Sequence, residues 1–267
     1  MVKLIDGRAI AERIKDEVAL TIHEFNGPRP NLAIILVGER EDSKIYVSLK
    51  QREGKKVGID THLYALAAET SEKELLEVIE FLNKDEAIDG ILVQLPLPAH
   101  FNTDKIISAL DPDKDVDGFH PQHPKYIISP VLASVDACLD EIKMSGKNQV
   151  ACVLYNSDIF GRGLEDVALA KGFTICKKEN LSEADLIITA LGEPNKIKKE
   201  MVKEGVVVVD IGISKVEEKV YGDADFEDLK NKASYITPVP GGIGPMTIAF
   251  LFKNVLEIFR RNSDMRE

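Results

Sequence analysis

The sequence predicts an α/β fold organised in two domains. Strand-like apolar runs alternate with stretches of helical periodicity, an order that favours sheets joined by right-handed crossovers. The strand-like runs are continuously apolar, as in parallel strands that are covered on both faces. The length of 267 residues corresponds to about two domains at ~150 residues per domain.

The first half of the chain supplies three predicted helices and two predicted strands. Apolar residues of the first helix, among them Ile10, Ile14 and Val18, recur near one face. Ser71 and Glu74 form the capping box that opens the third helix. The predicted elements are a helix over 6–22, a strand over 32–37, a helix over 43–57, a helix over 71–83 and a strand over 90–95.

The second half repeats this alternation. Its predicted elements are strands over 150–154, 173–176, 186–189 and 206–211, and helices over 164–171 and 245–261. A polar helix and the loop 145–148 lie between the two halves. We therefore expect the domain boundary near 134–149.

Charge and cysteine content limit the classes of function. Lys and Arg number 34 against 45 Asp and Glu, a formal net charge of −11, which argues against a nucleic-acid binder because phosphate binding needs a basic face. The three cysteines are widely spaced and include no C-x-x-C, as is typical of a reducing compartment. No run approaches the ~18 apolar residues of a membrane helix. We expect a cytoplasmic protein that binds neither nucleic acid nor membrane.

Three polar residues of the first half are candidates for catalysis. Tyr46 and Lys50 share one face of a predicted helix, and a lysine beside apolar and aromatic surface can act as acid or base near neutrality. The alternative is an ordinary surface pair. Gln94 lies near the carboxyl end of a predicted buried strand, where open α/β sheets bind ligands. It either orients a lysine or a ligand ring, or caps the following turn.

Two loop segments combine polar side chains with turn residues. The carboxylate of Asp117 either accepts paired N–H donors from a heteroaromatic ligand or belongs to a plain Asp-Gly turn with Gly118. His120 and His123 lie between prolines, with no Cys and no third His nearby. We interpret them as loop residues and expect no metal site.

The segment 155–163 follows a predicted strand and precedes a predicted helix. Backbone N–H groups at such a helix N-terminus can bind a dinucleotide pyrophosphate, although only Gly161 and Gly163 remain of the usual glycine pattern. Lys177 and Lys178 follow the next strand. They either bind a 2′-phosphate, which favours NADP over NAD, or are solvated.

The segment 237–247 is the most constrained part of the sequence. It holds three prolines and three glycines in eleven residues, which impose an irregular backbone at the start of the last helix. Such a loop lets a flat ligand approach the backbone closely, and the alternative is an ordinary tight connection. The density of constraint favours a functional loop.

Four segments, in this order, resemble the bifunctional methylenetetrahydrofolate dehydrogenase/methenyltetrahydrofolate cyclohydrolase family. They are the pattern Ser-x-x-Tyr-x-x-x-Lys over 43–50, and the segments 90–98, 114–119 and 237–247. The resemblance implies two α/β domains with a central cleft, the second Rossmann-like with a mainly parallel sheet, and a homodimer. It implies a catalytic, folate-binding domain over 1–134 and 245–267, and an NADP-binding domain over 135–244.

The resemblance also implies the chemistry. Family members oxidise 5,10-methylenetetrahydrofolate to the 5,10-methenyl form with NADP, less often NAD, and hydrolyse the product to 10-formyltetrahydrofolate in one-carbon metabolism. By this resemblance Lys50 is the catalytic lysine, Gln94 its partner, Tyr46 the residue that stacks on substrate and Asp117 the pterin anchor. The implied substrate-lining residues further include Val93, Leu95, Pro238, Gly241 and Gly242.

The chain departs from the family pattern mostly at the cofactor. The usual Gly-x-Ser of the first Rossmann turn is Tyr155-Asn156-Ser157 here, and the usual Cys-His-Ser is Cys176-Lys177-Lys178. We expect cofactor binding to be retained, and Ile213 matches the position that borders the nicotinamide. Two alternatives stay open: a single-activity cyclohydrolase and a non-catalytic folate-binding protein. The expected cofactor-binding residues are Tyr155, Asn156, Ser157, Arg162, Lys177, Lys178 and Ile213.

Overall fold

The structure, a computed structural model, describes residues 2–25, 27–156 and 158–264. The chain divides into two compact units. The first unit comprises Met1–Glu12 with Val131–Thr247, and the second unit comprises Arg13–Pro130 with Ile248–Glu267.

Helices and strands alternate along most of the chain. The helices are α1 Gly7–Glu24, α2 Glu41–Val57, α3 Glu72–Lys84, α4 Thr103–Ser108, α5 Pro130–Glu141, α6 Asp158–Ala170, α7 Phe226–Leu229 and α8 Ile243–Asp264. The strands are β1 Lys3–Leu4, β2 Asn31–Val37, β3 Asp60–Leu66, β4 Gly90–Val93, β5 Val150–Tyr155, β6 Thr174–Ile175, β7 Leu186–Ala190, β8 Val207–Asp210, β9 Ser214–Val216, β10 Lys219–Tyr221 and β11 Tyr235–Ile236.

The second unit contains a parallel three-stranded sheet with the order β3-β2-β4. The central strand β2 is covered on both faces: Leu32 and Ile34 pack with apolar residues of α2 and α8, and Ala33 and Ile35 pack with those of α3. Burying one such Leu or Ile side chain contributes roughly 1.5–3 kcal/mol. Because both faces of β2 are buried in this way, every residue from 32 to 37 is apolar.

The first unit contains a parallel six-stranded sheet with the order β1-β11-β8-β7-β5-β6. Strand β6 pairs with β5 on one side, and the chain then crosses over to form β7 on the other side of β5. The carboxyl ends of β5 and β7 therefore form the topological switch point, where open α/β sheets bind ligands. The hairpin of β9 and β10 follows β8.

The structure confirms the α/β prediction and shifts the ends of several elements. Strand β4 ends at Val93 rather than at residue 95, and helix α6 begins at Asp158 rather than at residue 164. The predicted capping box is present, because Ser71 Oγ accepts from Glu74 N and the Glu74 carboxylate accepts from Ser71 N. Strand β3 was not predicted, since this edge strand is partly exposed and has no continuous apolar run.

The division into units differs from the predicted domains at the N-terminus. The prediction groups residues 1–134 together, whereas Met1–Glu12 lies in the first unit. The physical reason is that β1 joins the six-stranded sheet, with Lys3 N donating to Ser234 O at 2.9 Å and Ile5 N to Ile236 O at 2.9 Å. Among the described residues, no helix has the length and apolar character needed to cross a bilayer.

Candidate active site

Gln94 lies at the switch point of the three-stranded sheet. It follows β4, and its backbone N–H donates to Ile35 O of the neighbouring strand at 2.9 Å. The side-chain Nε2 donates to Leu95 O at 2.7 Å. This second bond orients the amide so that its oxygen is available to another donor. Val93, the last residue of β4, is buried, and Leu95 is half-buried.

Lys50 meets this amide from helix α2. Its Nζ donates to Gln94 Oε1 at 2.9 Å, as the sequence analysis expects. Burial lowers the pKa of Lys50, and the carboxylate of Asp117 opposes this by favouring the charged form. A lysine with a lowered pKa carries a neutral amine more often at neutral pH, and can therefore accept a proton.

Asp117 lies on the turn that follows Asp115. The Asp115 carboxylate accepts from Asp117 N at 3.2 Å and from His120 N at 2.7 Å, and Gly118 has a φ of 64° that suits glycine. Burial raises the pKa of Asp117 to about 7; nearby Lys50 opposes the rise and Asp115 adds to it. The turn thus presents a carboxyl group that changes charge near neutral pH.

Tyr46 lies one helical turn before Lys50 and is half-buried. Burial raises the pKa of the Tyr46 phenol, and the negative charge of Asp42 adds to the rise. The phenol therefore stays protonated at neutral pH and keeps its hydrogen-bond donor. Tyr46, Lys50, Gln94 and Asp117 all belong to the second unit.

The loop at 238–242 belongs to the first unit and has a tightly confined backbone. A Cβ on Gly7 would lie 1.9 Å from Gly242 O, so only glycine fits at position 7. Gly241 has a φ of 117°, and a Cβ there would lie 3.3 Å from Arg8 Nε. Pro238 is half-buried. The predicted constraint on this loop is confirmed, whereas its contact with substrate stays a prediction.

Tyr155, the last residue of β5, stands where the usual Rossmann turn has a glycine. The Tyr155 ring packs against Gly161, where a Cβ would lie 2.3 Å from ring atoms. Its hydroxyl is 3.2 Å from a Glu165 carboxylate oxygen. Lys178 Nζ lies 3.7 Å from the ring centroid and donates to Tyr155 O at 3.2 Å. The ring is therefore engaged in packing within its own unit.

The other expected cofactor residues surround the carboxyl ends of β5, β6 and β8. Asn156 Nδ2 donates to Leu191 O at 2.8 Å and so links the loops after β5 and β7. Arg162 and Lys177 are exposed, and Ile213 is 46% exposed. Ser157 lies outside the described residues.

Two buried carboxylates at the carboxyl edge of the six-stranded sheet were not predicted from the sequence. Asp210 ends β8, and Asp223 follows β10; both accept backbone N–H groups of the surrounding loops. The only sequence signal was an acidic residue within two positions of a glycine, in Asp210-Ile211-Gly212 and in Gly222-Asp223.

Both ring nitrogens of His120 have partners in the structure. Nδ1 accepts from Gln122 N at 3.0 Å, and Nε2 lies 3.2 Å from Ser108 O. Within the part of the chain that the structure describes, no group of three or more His, Cys, Asp or Glu side chains could hold a metal ion.

Comparison with known proteins matches both parts of the chain. Residues 5–117 match the family model of the tetrahydrofolate dehydrogenase/cyclohydrolase catalytic domain, and residues 131–263 match that of its NAD(P)-binding domain. The bifunctional protein FolD of Pelobacter propionicus is 42% identical over 279 residues, with 98% of this chain and 99% of the relative covered.

Solved structures agree with this match. The FolD methylenetetrahydrofolate dehydrogenase/cyclohydrolase of Campylobacter jejuni has a TM-score of 0.92 and 38% identity, with 98% of this chain and 99% of that chain covered. The FolD of Trypanosoma brucei, solved with NADP cofactor and inhibitor, has a TM-score of 0.91 and 29% identity, with 98% of each chain covered.

Proposed function

The chain belongs to the tetrahydrofolate dehydrogenase/cyclohydrolase family, and from this premise we propose that it is a bifunctional enzyme of one-carbon metabolism. It oxidises 5,10-methylenetetrahydrofolate to 5,10-methenyltetrahydrofolate with NADP, and then hydrolyses the product to 10-formyltetrahydrofolate. The observation that carries the proposal is the hydrogen bond of 2.9 Å between Lys50 Nζ and Gln94 Oε1. The match to both family models supports it.

The hydrolytic step follows from the four side chains of the second unit. Asp117 binds the N–H groups of the pterin ring, and Tyr46 stacks on the substrate. Gln94 holds Lys50 Nζ in place. The neutral amine accepts a proton from the water that attacks the methenyl carbon and donates it to the ring nitrogen that leaves this carbon. The second proton of that water is released to solvent as the carbon–nitrogen bond breaks and the formyl C=O forms. General acid–base catalysis of this kind contributes ~10²–10⁴-fold in rate.

The residues of the first unit fit a phosphorylated dinucleotide. A turn joins β5 to α6 at the switch point of the parallel sheet, and the exposed Lys177 and Lys178 follow β6. These lysines supply positive charge for a 2′-phosphate and so favour NADP over NAD. When bound, the cofactor accepts the hydride that the methylene carbon loses. The protein's contribution is to position the two reactants.

The experiment is a pair of assays on Lys50→Met. Hydrolysis of methenyltetrahydrofolate needs no nicotinamide, so it is measured separately from the formation of reduced cofactor. We expect hydrolysis to fall by at least about 100-fold, with an unchanged thermal unfolding temperature. Lys55→Met, an exposed lysine of the same helix, should hydrolyse like the parent protein.

Each outcome of these assays separates the proposal from its alternatives. If the parent protein both forms reduced NADP and hydrolyses methenyltetrahydrofolate, the result supports a bifunctional enzyme. Hydrolysis without reduction of NADP or NAD would identify a single-activity cyclohydrolase. Folate binding without turnover would identify a binding protein. Full hydrolysis by the Lys50→Met variant would refute the role of Lys50.

We further propose that the enzyme is a cytoplasmic homodimer. All three cysteines are free, as expected in a reducing compartment.

Strand β3 is an edge of its sheet among the described residues, and Leu63 on it is 41% exposed, so β3 offers unpaired backbone groups to a second copy. Sedimentation should show a dimer that Leu63→Lys dissociates. Phe81→Lys, an exposed apolar position on α3, should remain dimeric; a monomeric parent protein would refute the proposal.

A further inference from the structure

A buried carboxylate fixes the loop that follows β7. Asp223, fully buried, accepts from Thr189 Oγ1 at 2.8 Å, from Leu191 N at 2.7 Å and from Glu193 N at 2.9 Å. The loop after β7 thus has two of its backbone N–H groups attached to one carboxylate. Gly192, between them, has a φ of 70° and open space around a Cβ position.

A second buried carboxylate fixes the loop that follows β8. Asp210, 2% exposed, accepts from Gly212 N at 2.9 Å, from Asp223 N at 3.1 Å and from Ala224 N at 2.8 Å. Its own N–H donates to Thr237 Oγ1 at 2.7 Å, which extends the connection to the residue before Pro238. The loops after β7, β8 and β11 are therefore joined through these two aspartates.

The two carboxylates pack so closely against Gly212 and Gly222 that no residue with a Cβ fits at either position. A Cβ on Gly212 would lie 2.2 Å from the Asp223 carboxylate, and a Cβ on Gly222 would lie 2.1 Å from Asp210 Oδ2. Burying two neighbouring carboxyl groups is costly, even with hydrogen bonds. Burial raises the pKa of Asp210 to about 7, and the charge of Asp223 adds to the rise, although backbone N–H donors oppose it.

The position of Asp210 and Asp223 in the sheet indicates what these buried carboxyl groups do. The loops that it holds lie at the carboxyl edge of the six-stranded sheet, and the loop after β7 borders the switch point, where Asn156 Nδ2 donates to Leu191 O. Ile213, expected to border the nicotinamide, follows Gly212, whose N–H is bound to Asp210. A binding site needs loops held in one conformation before the ligand arrives.

We propose that Asp210 and Asp223 are positioning residues for the dinucleotide cofactor: they hold the loops after β7 and β8 in the conformation that binds NADP. This inference rests on the proposed function, because it assumes that the carboxyl edge of this sheet binds the cofactor. Neither aspartate contacts substrate in this proposal, and both act through the backbone of Leu191, Glu193 and Gly212.

The test is Asp223→Asn in the full-length enzyme. An asparagine has one acceptor oxygen, so its NH₂ group must face at least one N–H or O–H donor that Asp223 binds. We expect the Kd for NADP, measured by titration calorimetry, to rise at least about tenfold, equivalent to ~1.4 kcal/mol. The KM for NADP should rise in parallel, whereas hydrolysis of methenyltetrahydrofolate should stay within about twofold.

Asp185→Asn is the matched control. Asp185 also accepts a backbone N–H, from Val150 at 2.8 Å, but at the amino edge of the same sheet. It should lower the thermal unfolding temperature without changing the Kd for NADP. If Asp223→Asn also lowers only the unfolding temperature, the aspartates are merely structural and the proposal is overturned.

Two further results keep the test decisive. If Asp223→Asn does not fold, Thr189→Val, which keeps the side-chain shape and removes one of the three hydrogen bonds, should still weaken NADP binding by about two- to threefold; an unchanged Kd would overturn the proposal. If the parent protein itself binds no NADP, the proposed dehydrogenase function fails, which is a distinct result.

Discussion

At the scale of the residue, Asp117 shows how burial sets the charge of a side chain. Its pKa rises from 3.8 to about 7 mainly through burial. The folded state therefore binds a proton more tightly than the unfolded chain. Stability contributed by this proton is present below the unfolded pKa and is lost as the pH rises through about 7.

Asp117→Asn should therefore become more stabilising as the pH rises. We expect its free energy of unfolding, relative to the parent protein, to increase between pH 4 and pH 8, by at most about 4 kcal/mol at ~1.4 kcal/mol per pKa unit. Urea unfolding at several pH values measures this. Asp113→Asn, at an exposed position before the same turn, should show no such trend. A difference that does not vary with pH would contradict the assigned protonation of Asp117.

The residues of this site were predictable to different degrees. The i, i+4 spacing placed Tyr46 and Lys50 on one face, and the strand end at Gln94 suggested a partner; the bond between Lys50 and Gln94 is confirmed. The raised pKa of Asp117 was not predictable from sequence, because it depends on burial and on the distances to Lys50 and Asp115.

At the scale of the element, we propose that the turn between β5 and α6 and the lysines after β6 recognise the nucleotide. Lys178 lies over the ring of Tyr155 and donates to its carbonyl, so its ammonium is held near the end of β5. Lys177 is exposed beside it. A phosphate on the ribose 2′-oxygen would gain charge-assisted hydrogen bonds from this pair, whereas NAD lacks that phosphate.

We expect the double variant Lys177→Gln/Lys178→Gln to lose preference for NADP. The KM for NADP should rise by about five- to tenfold, equivalent to ~1 kcal/mol from exposed charges, while the KM for NAD changes by less than about twofold. Lys219→Gln, an exposed lysine of β10, serves as the control in steady-state assays with both cofactors. An equal loss with NAD and NADP would show that the lysines do not read the 2′-phosphate.

Elements with strong local signals were predicted, and those set by tertiary pairing were not. The Ser71 capping box and the apolar run of β2 depend on neighbours in sequence, and both were recognised. Strand β3 is stabilised by pairing with β2 along its whole length, although its sequence includes Asp60, Thr61 and His62. No local pattern reveals that pairing.

At the scale of the whole molecule, distant parts of the chain build the second unit. Its core joins apolar residues of β2 with Phe252 and Val255 of α8, which are fully buried. Asn254, on the same helix, donates through Nδ2 to Val116 O at 2.8 Å and to Ile128 O at 2.9 Å, across 138 and 126 residues of sequence. Contacts of this span do not appear in any periodicity, so only the family resemblance grouped the last helix with the first half of the chain.

This pair of bonds connects the last helix to the chemistry of the site, because Val116 directly precedes Asp117. Asn254→Ala leaves the buried carbonyl of Val116 without this donor, which costs about 1–3 kcal/mol, and removes the bond to the partly buried carbonyl of Ile128. We expect a lower free energy of unfolding in urea and, for the folded enzyme, a higher KM for methenyltetrahydrofolate, since the turn that carries Asp117 loses an anchor. Lys253→Ala, at the exposed neighbouring position, should change neither quantity. A destabilised variant with an unchanged KM would show that the turn keeps its conformation without Asn254, and that the helix contributes to the fold alone.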